Sequence, residues 1–465
     1  MHRLVTLLVA TVLVAPAAAQ ERPGEAAFRA TYRELVETNT AHSNGSCTLA
    51  AERMAARLKA AGFPASDLHL FSVPEAPKDG GLVAVLPGSD PGAKAILLLA
   101  HLDVVEARAA DGTRDPFRLI EDNGVFYARG ASDDKAAAAI YVDTMARMKA
   151  EPRPRRTVKL ALTCGEETTG VFNGAEYLST HERPLIDAAF ALNEGGGGRL
   201  TADGKPLLLA LQVSEKTSQN YTLTVTNPGG HSSLPRPDNA INELAAALTR
   251  IAAYRFPVRI DATTRAFWTQ TATIVPPAVG QAMKAIAANP DDAAAEAVLA
   301  RDPLFNSTLR TTCVATLVDA GHAENALPQR ATANINCRIF PGETIEGTRD
   351  RLAEVVADPA VTITAKPRRG PVSSPAPLDP AVIAPAQKLA AEMYPGVPLV
   401  PIMSTGASDS IYLAAAGIPS YGVPGIFYEG DGGGIHGLNE HIRVKSVLDG
   451  RDYLYRLVRL YAEAR

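Results

Sequence analysis

Cysteine is scarce in this chain. Only Cys47, Cys164, Cys313 and Cys337 occur in 465 residues, and no two form a C-x-x-C pair. That spacing argues against a thiolate zinc site. An excess of charge of one sign is also missing. The 46 Lys and Arg residues nearly balance 50 Asp and Glu, for a formal net charge of −4. The chain therefore lacks the electrostatic footprint of a nucleic-acid binder. Its one short basic cluster, Arg153-Pro154-Arg155-Arg156, precedes a strand-like run and reads as a solvated loop. No internal repeat is visible, and no segment beyond the N-terminus is long and apolar enough to span a bilayer.

What is present begins with a targeting pattern. Arg3 supplies a positive start, Leu4 to Val14 form an apolar stretch, and Ala17-Ala18-Ala19 fits an A-x-A cleavage site before Gln20. The stretch is too short for a spanning helix. The mature protein is expected to be soluble and exported, to the periplasm or outside the cell, with no membrane partner after cleavage. That compartment permits disulfides. Cys313 and Cys337 lie in strand-like runs, 311–318 and 331–339. A hairpin centred near Asn325 would set them face to face, as a disulfide or as two free buried thiols.

The 46% hydrophobic content is ample for large cores, and the length suggests more than one domain. Helices are expected over Glu25–Glu37 and from Cys47 to Ala61, the second closed by Gly62-Phe63-Pro64. Apolar strands follow at 95–100, 158–163 and 188–192, with a helix from Lys135 to Lys149 between them. This alternation indicates α/β architecture with a largely parallel sheet. Near residue 214 the pattern changes to a half-exposed strand, Tyr221 to Thr226, and a helix from about Asn239 to Ala253. An Ala-rich helical stretch and the 311–339 pair then complete a smaller α+β unit. The Pro- and Ser-rich segment 366–378 returns the chain to the first domain, with a helix at 380–393.

Five polar clusters stand out against this frame. His101-Leu102-Asp103 ends the first strand. Asp133-Asp134-Lys135 sits where a loop enters a helix. Glu166-Glu167 follows the second strand, Asn193-Glu194-Gly195 the third, and Gly434-Ile435-His436-Gly437-Leu438-Asn439-Glu440 lies late in the chain. Each has a plain alternative: a chance His-x-Asp, acids complementing a helix dipole, paired surface glutamates. Ligands gather outside the carboxyl ends of strands in open α/β sheets. A metal-bound imidazole needs its second N–H held, often by a carboxylate. Two histidines and three carboxylates can hold two zinc ions if one carboxylate bridges. A spare glutamate beside them can act as general base on a bound water. Calcium fits less well, since it prefers oxygen ligands.

In the order and spacing of these motifs, nearly the whole mature chain resembles the co-catalytic dizinc peptidases and deacylases. That family includes aminoacylase, glutamate carboxypeptidase and succinyl-diaminopimelate desuccinylase. The resemblance implies a three-layer αβα zinc-peptidase domain with an inserted two-layer α+β lid and dimerisation domain. The implied division is signal peptide 1–19, catalytic domain 20–214 and 369–465, and lid 215–368. One zinc would be held by His101, Asp133 and Glu194, the other by Asp133, Glu167 and His436, with Co2+ or Mn2+ as possible substitutes. Asp103 would orient His101, and the Asp133–Asp134 peptide would be cis. Glu166 would be the general base.

In the lid, His231 matches an oxyanion-stabilising histidine that reaches the partner's site in dimeric members. Its bland alternative is a turn residue. Asn325 matches a substrate contact, Gly406 a substrate loop, and Arg338 an arginine that grips a carboxylate through two parallel bonds. Arg338 has an exposed strand position as its alternative. Many members carry an arginine where this chain has Ile411. The helical stretch near 265–305, with the only tryptophan, Trp268, is an addition to the lid that narrows the pocket, alters a dimer face or is filler. The implied enzyme hydrolyses an amide bond of a small peptide with a free carboxylate, as a carboxypeptidase or dipeptidase. The alternative is an N-acyl-amino-acid amidohydrolase. A homodimer through the lid is implied as well.

Overall fold

The computed structural model describes residues 21–464 apart from 169, 369, 424 and 431. The signal segment expected at 1–19 lies outside the described residues. A ten-stranded sheet organises the larger part of the chain. Its order runs Leu68–Val73, Ala76–Leu86, Val158–Thr163, Ile96–His101, Phe190–Asn193, Ser420–Gly422, Pro206–Glu215, Gly197–Leu200 and Phe427–Tyr428, with Leu399–Ser404 pairing Pro206–Glu215 as well.

The period of two decides how the strands are covered. On Ile96–His101, Ile96, Leu98 and Ala100 face the core beneath the helices Glu25–Glu37, Cys47–Ala60, Lys135–Lys149, Pro380–Met393 and Val444–Glu463. Leu97 and Leu99 face the opposite core, under the short helices Gly174–Thr180, Arg183–Ile186 and Ser410–Ala415. Six buried residues in a row are thus a strand covered on both faces. Each large apolar side chain there contributes about 1.5–3 kcal/mol.

The sheet corrects one expectation. Its centre is parallel, with Ile96–His101 between Val158–Thr163 and Phe190–Asn193. Its flanks include antiparallel pairs, Leu68–Val73 on Ala76–Leu86, Ala76–Leu86 on Val158–Thr163, and Gly197–Leu200 on Pro206–Glu215, beside the parallel pairs of Phe427–Tyr428 on Gly197–Leu200 and Leu399–Ser404 on Pro206–Glu215. The sheet is therefore mixed. The outer strands Leu68–Val73 and Gly197–Leu200 lack a continuous apolar run, and Ala76–Leu86 opens with polar, exposed residues before its apolar half.

A second sheet, all antiparallel, runs Thr312–Ala320, Arg330–Ile339, Thr217–Thr226, Val361–Ala365. Helices Ala240–Ala253 and Ile345–Val356 bury Leu244, Ile251, Leu352 and Val356 against Tyr221, Leu223, Ile335 and Ile339. Cys313 and Cys337 are directly opposite and joined, and Cys47 is joined to Cys164. The helices between 262 and 309 have their own core around Trp268, Met283, Ile286 and Leu299. One of them, Ala262–Thr271, lies against the main-sheet strand Leu399–Ser404, so this stretch links the two sheets.

Candidate metal centre and cleft

Three parallel strands end side by side, and their loops bring the sequence clusters together. His101 closes its strand and is almost completely buried. Its Nδ1 lies 3.0 Å from the carbonyl oxygen of Asp103 and 3.6 Å from Asp103 Oδ1. A hydrogen on Nδ1 donated there leaves the Nε2 lone pair facing inward. Nε2 is 3.1 Å from Asp133 Oδ1 and 3.6 Å from Glu194 Oε2. Lone pairs therefore converge on one point, and a cation or an extra proton must sit between them.

The second half mirrors the first. His436 Nε2 lies 2.9 Å from Glu167 Oε2 and 3.3 Å from Asp133 Oδ2. Each oxygen of Asp133 thus addresses a different histidine, as a bridging carboxylate must. The Asp133–Asp134 peptide is cis. Buried Glu194 Oε1, Asp134 Oδ2 and Asp103 Oδ1 have no hydrogen-bond partner among the described residues. Such orphaned buried acceptors are costly unless an ion or a water satisfies them.

The electrostatics agree. Burial works against protonation of His101, but Glu194, Asp133 and Asp103 outweigh it and hold its pKa well above the usual value. His436 is raised to about 9, chiefly by its bond to Asp133. Burial pushes Glu166 well above the carboxylate range, with Glu194 adding to it, and raises Glu167 to about 7. Asp133 alone is held low, because His101 and His436 overcome its burial. Carboxylates outnumber imidazoles here, and divalent cations would restore the balance. The nitrogen and oxygen donor set suits zinc and its neighbours.

Two residues to which the sequence reading gave no role hold this frame. Glu440 is buried and accepts from Arg129 Nη1 at 2.9 Å and from the backbone N–H groups of Gly130, Ser132 and Asp133 at 2.9, 2.8 and 3.1 Å. Its carboxylate ties the His436 loop to the loop of the bridging acid. Asp409 accepts from Asn173 Nδ2 at 2.7 Å, and the same amide donates to the Gly165 carbonyl at 3.0 Å, beside Glu166. The available signal for Glu440 was a buried-type glutamate four residues past His436. Nothing in the spacing pointed to its partners 307 to 311 residues away.

Glu166, Glu167 and His436 line a cleft of about 720 Å³ together with Arg338, Arg368, Gly406, Asp409, Ile411 and Tyr412. The sequence profile of peptidase family M20/M25/M40 matches residues 97–460, well over half the chain. The chain belongs to this family. It is 30% identical over 398 residues to the human N-fatty-acyl-amino acid synthase/hydrolase PM20D1, covering 80% of this chain and 75% of that one. A probable carboxypeptidase S-like 2 of Dictyostelium discoideum is 26% identical, covering 80% and 72%. Among solved structures, the M20 metallo-carboxypeptidase Sso-CP2 of Sulfolobus solfataricus aligns with TM-score 0.70 at 18% identity, covering 94% of this chain and 99% of that one. Human carnosine dipeptidase 1 aligns with TM-score 0.65 at 15% identity, covering 95% and 97%. As a member of this peptidase family the chain is a metallohydrolase acting on amide bonds.

The expected oxyanion histidine, His231, and the expected substrate contact, Asn325, lie outside this cleft. His231 and Asn325 sit together in a small ribbon, where Gly230–His231 pairs with Ala326–Leu327 and Ser232 N donates to the Asn325 carbonyl. His231 is exposed, its Nδ1 2.7 Å from Ser233 Oγ, and neither residue lines the cleft of its own chain. The two arginines of the cleft also differ. Arg368 donates to the carbonyls of Gly370, Ser218 and Pro371, one bond from each of its three nitrogens. Arg338 is half-buried, and no acceptor for its guanidinium occurs among the described residues.

Proposed function

We propose that the protein is an exported zinc-dependent exopeptidase that hydrolyses an amide bond of a small peptide bearing a free carboxylate. The observation that carries this reading is the placement of Arg338. An arginine without an acceptor lines the same cleft as Glu166, and a half-buried guanidinium calls for an anion. A substrate carboxylate on Arg338 would set the neighbouring amide toward the acids. Two zinc ions held by His101, Asp133, Glu194, Glu167 and His436 would supply Lewis acidity and a water of lowered pKa. Glu166 takes the proton of the attacking water and passes it to the leaving amine. Asp103 keeps the His101 ring oriented throughout.

A second reading has its own support. Ile411 and Tyr412 give the cleft an apolar wall, and the human relative is named for N-fatty-acyl amino acids. An N-acyl amino acid shares the carboxylate and the amide but replaces the second residue with an acyl group. Hydrolysis of a panel of dipeptides and N-acyl amino acids by the zinc-loaded protein, with Glu166→Gln as control, tests both. Cleavage by wild type alone is expected. Equal turnover by the variant would remove Glu166 as the base.

Export is supported by the N-terminal pattern and by two disulfides, which persist in oxidising compartments. Dimerisation through the lid is supported by the edge strand Thr312–Ala320, where Val314, Leu317 and Val318 are 58%, 67% and 62% exposed. A second copy along that edge would cover them and leave His231 of one copy free to serve the other. Sedimentation should give a dimer, and Leu317→Glu a monomer. A monomeric wild type would refute the pairing.

A further inference from the structure

The Cys47–Cys164 disulfide has a location that stability alone does not explain. Cys164 immediately precedes Gly165-Glu166-Glu167, at the exit of the strand Val158–Thr163. Cys47 opens the helix Cys47–Ala60, 117 residues earlier. Both are buried, at 1% and 4% exposure. The two sulfurs and a carboxylate oxygen of Asp103 lie within 4.8 Å of one another. Asp103 is the acid behind His101, and its Oδ2 accepts the backbone N–H of Glu167 at 2.9 Å. The bond is therefore packed against Asp103, whose backbone carbonyl holds the ring of one candidate metal ligand and whose carboxylate holds the backbone of another. Bonded sulfurs carry no thiolate charge, so the trio does not form a third cation site.

Each end of the bond is held by its own hydrogen bonds. On the Cys47 side, Thr48 Oγ1 donates to the Pro77 carbonyl at 2.7 Å and accepts from Gly80 N at 2.9 Å. Ser46 Oγ caps the helix by accepting from Leu49 N. The helix start is thus fixed to the strand Ala76–Leu86. On the Cys164 side, a loop carries both glutamates outward. It is closed by Gly174 N on the Cys164 carbonyl at 2.7 Å and by Asn173 on Gly165.

We propose that the Cys47–Cys164 disulfide is a positioning element for catalysis, transmitting the fixed start of the helix to Asp103 and to the Glu166–Glu167 loop. The proposal rests on the reading of Glu166 as base and Glu167 as ligand. Outer partners of metal ligands change affinity or activity about 10- to 100-fold when removed. The Cys47→Ala/Cys164→Ala protein is accordingly expected to lose at least about tenfold in kcat, with KM within about threefold. Its affinity for zinc, read by chelator competition, is expected to fall about tenfold. Both are measured well below its own melting point. The Cys313→Ala/Cys337→Ala protein should keep wild-type zinc affinity, since that bond lies on the lid sheet.

Wild-type kcat and zinc affinity in the Cys47→Ala/Cys164→Ala protein, with only a lower melting point, would overturn the proposal. Loss of zinc affinity to the same extent in both double variants would overturn it as well. The zinc arm needs no substrate, so a wild-type protein that cleaves nothing in the panel fails the proposed function without deciding this point.

If the double variant does not fold, the Cys313→Ala/Cys337→Ala protein, which keeps only the Cys47–Cys164 bond, is reduced with a phosphine. One water is consumed, the phosphine becomes its oxide, and two thiols form. Activity is read first, and thiols at Cys47 and Cys164 are then capped in denaturant and counted. Activity falling with the reduced fraction at unchanged circular dichroism supports the clamp. Full activity with both thiols free overturns it.

Discussion

Glu440 offers the sharpest test of how the metal centre is built. Its side chain is 1% exposed, and that of its partner Arg129 is 6%. Four donors converge on the two oxygens: Arg129 and Gly130 on Oε2, Ser132 and Asp133 on Oε1. Burial raises its pKa, but a site furnished only with donors fits the anion. Glu440→Gln keeps the shape and replaces one oxygen with an NH2 group. Whichever way the amide turns, two donors then face a donor, and Arg129 loses its counter-charge. Breaking a buried pair by removing one partner costs about 3–5 kcal/mol. The bonds to Gly130, Ser132 and Asp133 belong to the loop that carries the bridging acid, so the loss also moves Asp133.

Urea unfolding of chelated protein isolates the stability effect from metal linkage. Glu440→Gln is expected to lower the unfolding free energy by about 3–5 kcal/mol with an unchanged slope against urea. Zinc titration of the same protein should show weakened binding at both sites, because Asp133 faces both histidines. A loss below about 1 kcal/mol would put Glu440 in the range of a surface pair and refute the reasoning. So would an unchanged zinc affinity.

Two further outcomes follow from the same structure. Glu215 is buried, accepts from Ser408 Oγ at 2.7 Å, and is raised to about 8 by burial. The folded state keeps a proton there that the unfolded state releases near 4.5. Stability from this group is complete below pH 4.5 and is lost as pH rises toward 8, at up to about 1.4 kcal/mol per unit. Glu215→Gln should remove that part of the slope, and identical slopes in both proteins would refute it. Arg338→Lys should raise KM for carboxylate substrates on the order of 10- to 100-fold, because a point charge replaces a two-bond grip worth about 1.5–3 kcal/mol. Its kcat should change little, and a large fall in kcat at constant KM would refute the binding role.

The elements that the sequence displayed were those with strong local signals. Ile96–His101 is apolar on both faces and ends in its functional residue, so strand and site were legible together. The close of Cys47–Ala60 was equally plain, and Gly62 takes a positive φ just past its end. The hairpin register that pairs Cys313 with Cys337 followed from symmetric placement about Asn325. What remained hidden depends on distant partners. Cys47 and Cys164 are 117 residues apart with no pattern linking them. Arg368 has the same residue type and cleft as Arg338, yet each of its three nitrogens is bonded to a backbone carbonyl. His231 carries a motif signal, yet it lies in an exposed ribbon outside the cleft of its own chain.

The excess of acid at the centre has a consequence for the whole fold. Without cations, burial raises Glu166, Glu167 and Glu194, and the surrounding carboxylates raise His101 and His436. All five shifts have one sign: the folded chain holds protons that the unfolded chain gives up. Stability of the chelated protein must then fall as pH rises from about 5 through the values near 7 and 9 at Glu167 and His436. Asp133 has the opposite shift, but its window lies at acid pH, below this range. Cations replace those protons, since ligands bind deprotonated and binding releases protons. The zinc-loaded protein should show a flatter profile over the same range. The gap in melting point between loaded and chelated protein is therefore expected to widen from pH 5 to pH 8. A gap that stays constant would mean that these acids are not what the cations neutralise, and the assignment of the centre would fail with it.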